Sequence, residues 1–127
     1  MMIEIVKSKI HRVTITASNL DYMGSITIDP ILLKASNLIA GEKVQVLSAN
    51  SGARLETYII EGKSGSGEVI MNGPAALKIK TGEVVIIIGY ILINPEDAKK
   101  YQPKIIFPNE KTNKLKGWEN LKKYLMS

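Results

Sequence analysis

The dipeptide Gly24-Ser25 starts an apolar, β-branched run and directly follows a tyrosine and a methionine. The glycyl carbonyl has no side chain that would hinder attack on it, and the serine that follows supplies a hydroxyl. Such a pair could break its own backbone. It could equally form a turn that leads into a strand, because glycine tolerates positive φ angles and serine forms local hydrogen bonds. A polar loop contains the same dipeptide as Gly65-Ser66, so the two residues alone leave both interpretations open.

The two arginines are a second candidate for chemistry, because the chain otherwise uses lysine as its cation. It contains 15 lysines but only Arg12 and Arg54 as arginines. A planar guanidinium group can pair with a carboxylate through two parallel hydrogen bonds, which an ammonium group cannot do. Each arginine fits a carboxylate-binding site and a structural ion pair about equally well, and the sequence leaves that choice open.

The composition excludes several classes of site. The chain has no cysteine and a single histidine. This excludes a thiol nucleophile and a disulfide framework, and it argues against a zinc site of the usual cysteine and histidine kind. The first residues contain no basic region ahead of an apolar stretch, so no signal peptide is predicted. The most apolar run, Val84–Ile93, is too short to span a membrane. We therefore expect a soluble, cytoplasmic protein.

The net charge of +5 is concentrated at the C-terminal end. Residues 99–127 contain eight lysines and two glutamates, a net charge of +6, which leaves −1 for residues 1–98. A nucleic-acid groove would combine basic residues with stacking aromatic ones, and only 6% of the chain is aromatic. Nucleic-acid binding is therefore disfavoured, and the lysine-rich tail is interpreted as a solvated end that frays.

Strand patterns dominate the chain, and 19 of its residues are isoleucine, which favours strands. Alternation and turn residues predict strands at 3–10, 13–16, 26–28, 43–47, 54–60, 68–71 and 83–93, with a further short one at 104–107. Caps and prolines predict short helices at 30–36, after 72–74, after 94 and at 118–125.

Because no rhythm of alternating strands and helices is present, the predicted fold class is mainly β, a small β-barrel with short helices. We expect a single domain over residues 1–127, with the barrel at about 1–107 and the lysine-rich C-terminal tail at about 108–127.

Five segments together make the sequence recognisable. They are KIHRVTIT (9–16), NLDYMGSITID (19–29), NSGARLETYII (50–60), MNG (71–73) and GEVVIII (82–88). In this order and spacing they closely resemble the pyruvoyl-dependent aspartate 1-decarboxylases, small bacterial and archaeal enzymes that make β-alanine for pantothenate and coenzyme A. The resemblance implies decarboxylation of L-aspartate to β-alanine and CO2. It also implies a double-psi β-barrel fold and a homotetramer with sites between neighbouring subunits, and it leaves open whether a helper protein assists maturation.

The resemblance assigns a role to the dipeptide Gly24-Ser25. In the family, the Ser25 hydroxyl attacks the Gly24 carbonyl and exchanges the amide for an ester. Elimination of that ester cleaves the chain between the two residues and leaves Ser25 as a covalently bound pyruvoyl group. This group forms a Schiff base with the substrate amine and withdraws electrons, as pyridoxal phosphate does, so neither a metal nor pyridoxal phosphate is expected. A strained turn at Gly24 would lower the barrier to cleavage.

Further site residues follow from the same resemblance. Tyr58 aligns with the proton donor, and Arg54 and Lys9 align with cations that hold the substrate carboxylates. Thr57 and Tyr58 lie on opposite faces of one predicted strand, so one of them must reach the site from a bulge, a twist or a subunit boundary. The remaining substrate-binding positions are Thr57, Asn72, Gly73, Pro74 and Ala75, with His11 and Tyr22 as supporting residues.

The chain departs from the family pattern at Pro74, where alanine is usual. Proline has no backbone N–H, so a substrate hydrogen bond from this position is lost, whereas Ala75 and Ala76 keep theirs. The departure removes no catalytic group.

Two other functions stay open at the level of sequence. The barrel could be a non-processing binding module that holds nucleic acid through its basic tail. An intact Ser25 and binding that weakens steeply with salt would indicate this function. The chain could also keep the chemistry and accept glutamate or another small amino diacid, because the sequence does not fix the distance between the two cations.

Overall fold

The computed structural model describes residues 1–117, which contain eight strands and three short helices. In chain order these are β1 (Ile3–Thr14), β2 (Ala17–Asn19), β3 (Ser25–Ile28), α1 (Pro30–Ser36), β4 (Lys43–Ser48), β5 (Arg54–Glu61), β6 (Val69–Asn72), α2 (Ala75–Lys78), β7 (Val84–Ile93), α3 (Pro95–Ala98) and β8 (Lys104–Ile106). The helix predicted over 118–125 lies outside the described residues.

The eight strands form one sheet in the order β2-β6-β3-β5-β4-β7-β1-β8. The pairs β2–β6, β3–β5 and β1–β8 are parallel, and the other pairs are antiparallel. Just after β1 the chain crosses to β6, where the Thr16 backbone N–H donates to the Val69 carbonyl at 2.8 Å. The chain thus passes within two residues from β1, near one end of the strand order, to β2 at the other end, and the sheet must curve into a barrel to allow this. The prediction of a mainly β fold with short helices is therefore confirmed.

The structure joins the strands predicted at 3–10 and 13–16 into one strand, β1. The pairing of β1 with β7 slips by one residue between His11 and Val13, and Arg12 has a positive φ of 73° there. A bulge of this kind inserts one residue, so the alternation of side chains changes phase across it. The sequence pattern consequently shows two strands where the backbone is continuous.

The interior of the barrel is filled by aliphatic side chains from one side of each strand. In β4, Val44 and Val46 are buried, whereas Lys43 is exposed on the other side. The nearly uniform apolar sequence of β7 favours burial on both faces. At the centre of the strand both faces are buried, because the neighbouring residues Ile87 and Ile88 are 0% and 7% exposed, whereas Leu92 near its end is 63% exposed.

The buried carboxylate of Asp29 ties three segments together. It is only 2% exposed and accepts hydrogen bonds from the backbone N–H groups of Ile31 at 2.9 Å, Gly65 at 3.0 Å and Gly67 at 2.8 Å. The first of these bonds caps α1, as predicted from Asp29-Pro30. The other two hold the polar loop that precedes β6, so one side chain sets the position of a strand, a helix and a loop.

The start of the lysine-rich tail is fastened to the barrel. The buried Asn113 side chain donates to the carbonyls of Thr14 and Gly67 and accepts from the Thr14 backbone N–H. Close by, Arg12 and Glu110 form an ion pair at 2.6 Å. The interpretation of the tail as a fraying end is therefore wrong for these residues, because a buried asparagine satisfies three backbone groups at once.

Replacing the Asp29 carboxylate by an amide should destabilise the barrel. In Asp29→Asn one oxygen becomes an NH2 group that faces a backbone N–H, so a buried donor loses its acceptor. We expect the free energy of unfolding to fall by about 2 kcal/mol. Urea unfolding of chains that also carry Ser25→Ala, so that all of them stay intact, measures this change. The exposed Asp21→Asn is the matched control, and an equal loss in both variants would contradict the role given to Asp29.

Candidate active site

Ser25 opens β3 and lies opposite Asn72, the last residue of β6, in the antiparallel pairing of these strands. Its side chain is fully buried. The Ser25 Oγ donates to the Met23 carbonyl at 2.9 Å and accepts from Asn72 Nδ2 at 3.0 Å. Opposed residues of a strand pair have their side chains in contact, so the barrel itself brings this hydroxyl and this amide together. Both partners of the hydroxyl are fixed before any reaction.

The backbone of Gly73 packs directly against Gly24. A Cβ added at Gly73 would lie 2.7 Å from the Gly24 Cα, and Gly73 has a positive φ of 71°. Its N–H donates to the Asn19 carbonyl at 2.8 Å, which closes the turn against the loop before the dipeptide. Only glycine fits this approach. Gly24 itself has no positive φ, so the predicted strain does not take the form of a left-handed backbone there.

Tyr58 lies on the same side of the sheet as Ser25. The parallel pairing of β3 with β5 matches Ile26 to Ile59, and this register, continued by one residue, brings Ser25 level with Tyr58. Alternation then turns Thr57 to the opposite, inner side, where it pairs with the buried Val44. The predicted opposition of Thr57 and Tyr58 is confirmed, and the tyrosine is the one that shares the serine's side.

The predicted cation sites lie far from this group within one chain. Direct pairing aligns Arg54, Leu47, Ile86 and His11 in one row across β5, β4, β7 and β1. Measured along the sheet, three strand spacings, roughly 14 Å, separate Arg54 from His11. Arg54 also lies four residues, roughly 13 Å, from Tyr58 along β5.

Lys9 lies two residues from His11 on β1, on the same outer side of the barrel. The chain therefore presents Ser25, Tyr58, Arg54 and Lys9 on one side of its sheet but does not bring the last two to Ser25.

The two arginines differ in their partners. Arg12 forms an ion pair with Glu110 at 2.6 Å, which is the structural alternative. Arg54 donates from Nη1 to the Gln45 side-chain oxygen at 2.9 Å. Within residues 1–117, neither Arg54 nor Lys9 forms a salt bridge with a carboxylate. For Arg12 the contacts therefore show the structural ion pair, whereas Arg54 and Lys9 have no carboxylate partner among the described residues.

An exposed ion pair lies on the same outer side. Lys43 Nζ and Glu56 Oε2 are 2.7 Å apart, and Lys43 pairs with Tyr58 across the strands. The hydrogen bond to Glu56 raises the pKa of Lys43, and the hydrogen bond from Lys43 lowers the pKa of Glu56. Both groups are therefore charged near neutral pH. Water screens the pair, so it contributes little to stability, but it neutralises the cation next to the tyrosine.

An open cleft of about 450 Å³ lies beside the buried serine. Its lining residues are Ala17, Ser18, Asn19, Tyr22, Thr27, Ile60, Glu61, Ile70 and Asn72. The predicted supporting residue Tyr22 is half exposed there. In the adjoining turn, Pro74 is exposed, and the N–H of Ala76 donates to the Gly73 carbonyl at 2.9 Å. Of the backbone N–H groups of Ala75 and Ala76, which were expected to remain for the substrate, the turn itself therefore uses that of Ala76.

Two contacts of the site have no counterpart in the prediction. Thr27 Oγ1 accepts from Asn72 Nδ2 at 2.8 Å, and the Phe107 ring lies edge-on to His11 with centroids 5.4 Å apart. Alternation from Ser25 already indicates that Thr27 shares its side of the strand. No local pattern could have found Phe107, because the parallel pairing of β8 with β1 brings it there.

Among the residues that the structure describes, no three histidine, cysteine, aspartate or glutamate side chains are grouped so as to hold a metal ion. Within the same residues, no helix has the length and apolar character needed to cross a membrane.

The sequence is similar to that of known proteins along most of its length. The family model described as aspartate decarboxylase matches residues 1–115. A protein named aspartate 1-decarboxylase from Flavobacterium psychrophilum is 55% identical over 116 residues, which cover 91% of this chain and 100% of that protein. Proteins of the same name from Parabacteroides distasonis and Porphyromonas gingivalis are 55% and 54% identical, cover 91% of this chain, and are themselves covered to 99% and 98%.

A solved structure, the crystal structure of the computationally designed msDPBB_sym2 protein, is similar with a TM-score of 0.46 and 13% identity, covering 68% of this chain and 99% of that one. The family model spans nearly all the described residues, including the turn at Gly73 and the strand pair that holds Ser25. The chain belongs to the aspartate decarboxylase family.

Proposed function

We propose that this chain cleaves itself between Gly24 and Ser25 and then decarboxylates L-aspartate to β-alanine and CO2. The observation that carries the proposal is the buried Ser25 hydroxyl, held by Asn72 and the Met23 carbonyl directly beside the Gly24 backbone. The names of the relatives supply the substrate. A serine that only capped a turn would not need a buried amide donor aimed at its oxygen.

The cleavage step uses only groups of the chain and water. The Ser25 Oγ forms a bond to the Gly24 carbonyl carbon, the carbon–nitrogen bond breaks, and the hydroxyl proton passes to the released nitrogen. The Cα proton of Ser25 then leaves, and the Cβ–Oγ bond breaks with its electron pair on the Gly24 carboxylate. Water finally replaces the nitrogen of the resulting dehydroalanine, which releases ammonia. The Asn72 N–H that bonds to Oγ would stabilise the charge that grows on that oxygen.

The residues at position 25 and around it fit a pyruvoyl group. Such a group would supply an electron-withdrawing carbonyl that takes up the substrate amine. Tyr58, on the same side of the sheet, would return the proton that replaces the lost carboxylate. Asn72, Gly73, Pro74 and Ala75 would line the substrate pocket, with His11 and Tyr22 in support. Thr57, whose side chain is on the inner side of β5, would reach the substrate only through a twist of the strand or at a subunit boundary.

Arg54 and Lys9 would bind the two carboxylates of aspartate. Support comes from their lack of a carboxylate partner within the described residues and from the geometry of a guanidinium group, which holds a carboxylate through two bonds. An acid with two negative groups needs two cations, and the paired Lys43 is not available as one of them.

A second copy of the chain would complete the site. Arg54 lies roughly 13 Å along β5 from Tyr58, which is level with Ser25, and Lys9 is on a strand four steps from β3 in the sheet order. A small diacid held at Ser25 would not span these separations along the sheet. Exposed apolar side chains on the outer side of the barrel, such as Leu92 and Phe107, would be covered in such an assembly. We therefore propose a homotetramer with sites at subunit boundaries. Such an assembly is compatible with spontaneous cleavage and with cleavage assisted by a helper protein.

Ser25→Ala should give a folded, uncleaved and inactive chain, because it removes the attacking oxygen and leaves the strand pairing in place. Intact-mass measurement and release of CO2 from aspartate, with glutamate assayed in parallel, test this. Residual decarboxylation by the variant would overturn the proposed chemistry, and salt-sensitive binding of nucleic acid by an intact wild type would indicate the binding module instead.

Tyr58→Phe should still cleave itself but lose on the order of 10²–10⁴ in turnover, because only the proton donor is removed. Steady-state kinetics on fully cleaved protein measure this loss. Tyr101→Phe, which removes the phenol hydroxyl of a residue with no assigned role, is the control and should keep wild-type turnover. A fully active Tyr58→Phe variant would mean that another group or a water supplies the proton.

Two inactive variants should restore activity to each other if the site needs two chains. Ser25→Ala supplies an intact Arg54, and Arg54→Ala supplies an intact Ser25. Co-expression of the two and assay of the purified mixed assembly should recover decarboxylation that neither variant has alone. Complete inactivity of a verified mixed assembly would place both residues of a site in one chain and contradict the boundary site.

A further inference from the structure

We propose that Thr27 is a positioning residue for self-cleavage, acting through Asn72 on the Ser25 hydroxyl. The inference rests on the proposed function and deepens it by naming the residue that fixes the amide donor. Thr27 lies two residues after Ser25 on β3, so both side chains are on the same side of the strand. Between them, on the neighbouring strand β6, lies the side chain of Asn72.

The hydrogen bonds of this group have one consistent direction. Ser25 Oγ donates its only hydrogen to the Met23 carbonyl at 2.9 Å, so it can only accept from Asn72. Asn72 must therefore turn its NH2 group, and not its oxygen, toward the serine. The second N–H of that group donates to Thr27 Oγ1 at 2.8 Å. Both donors are used within the chain, and Asn72 is only 2% exposed.

The Thr27 side chain is itself fixed in rotation. A Cβ added at Gly62 would lie 2.9 Å from Thr27 Cγ2, which shows how closely the methyl group packs on that backbone. With the methyl group held there, Oγ1 is directed to Asn72. A threonine is stiff at χ1 because it is branched at Cβ. One face of the side chain thus packs, and the other orients the amide.

Loss of the Thr27 hydroxyl would act on the oxygen that reacts. This N–H of Asn72 would lose its acceptor within the chain, and the amide would rotate to find another. Rotation moves the other N–H away from Ser25 Oγ. The oxygen would then lose the donor that holds it in place and that stabilises its charge as the Cβ–Oγ bond breaks. The expected effect is slower cleavage of a chain that still folds.

Three variants separate the hydroxyl from the methyl group and from general stability. Thr27→Val removes the hydroxyl and keeps a branched side chain, Thr27→Ser keeps the hydroxyl and removes the methyl group, and Thr14→Val removes a hydroxyl that bonds to the Glu110 carbonyl away from the site. Each chain is purified denatured and uncleaved, refolded, and followed by intact mass over time. Thermal unfolding in a Ser25→Ala background reports the stability of each. Thr27→Ala replaces Thr27→Val if the valine variant does not fold.

We expect cleavage to slow roughly tenfold or more in Thr27→Val, since a factor of ten corresponds to the loss of about one hydrogen bond's contribution at the transition state. Thr27→Ser and Thr14→Val should cleave at close to the wild-type rate. The inference is overturned if Thr27→Val cleaves as fast as wild type, if Thr27→Ser is equally slow, or if Thr14→Val slows as much. A wild type that stays intact would instead remove the proposed self-cleavage, and this inference with it.

Discussion

The pairing of Ser25 with Asn72 across two antiparallel strands is the contact on which the candidate site depends. It holds a buried hydroxyl and a buried amide together through the backbone hydrogen bonds between the two strands. The neighbouring turn adds Gly73, whose bare backbone packs on Gly24. The barrel closure through Thr16 and Val69 fixes the strand that carries Asn72.

The second constraint is the alternation of side chains along the strands. It directs aliphatic residues inward, and it leaves the groups with chemistry on the outer side of the barrel. This separation leaves an aliphatic interior, and the buried carboxylate of Asp29 is stabilised there by three backbone N–H groups. It also places Ser25, Arg54 and Lys9 on three different strands, β3, β5 and β1. A single barrel therefore holds the reacting serine firmly, whereas the cations for a diacid lie elsewhere on its surface.

Local features of the sequence predicted much of this arrangement. The cap at Asp29, the helix start at Asn94 and the opposed faces of Thr57 and Tyr58 all depend on neighbours in the chain, and all are confirmed. The bulge at Arg12 was not predicted, because a changed phase of alternation looks like two strands. The bonds from Asn72 to Thr27 and from Asn113 to Thr14 join residues distant in sequence, and no local pattern indicates them.

Denaturing mass spectrometry of the purified wild-type protein tests the central claim most directly, because it reads the backbone at Gly24-Ser25 without any assumption about substrate. Two fragments are expected, residues 1–24 and 25–127, with the larger one lacking an α-amino group and bearing a pyruvoyl start. A single intact chain that persists through prolonged warm incubation would contradict the central claim, and Ser25 would then be a buried serine in a barrel that does not process itself.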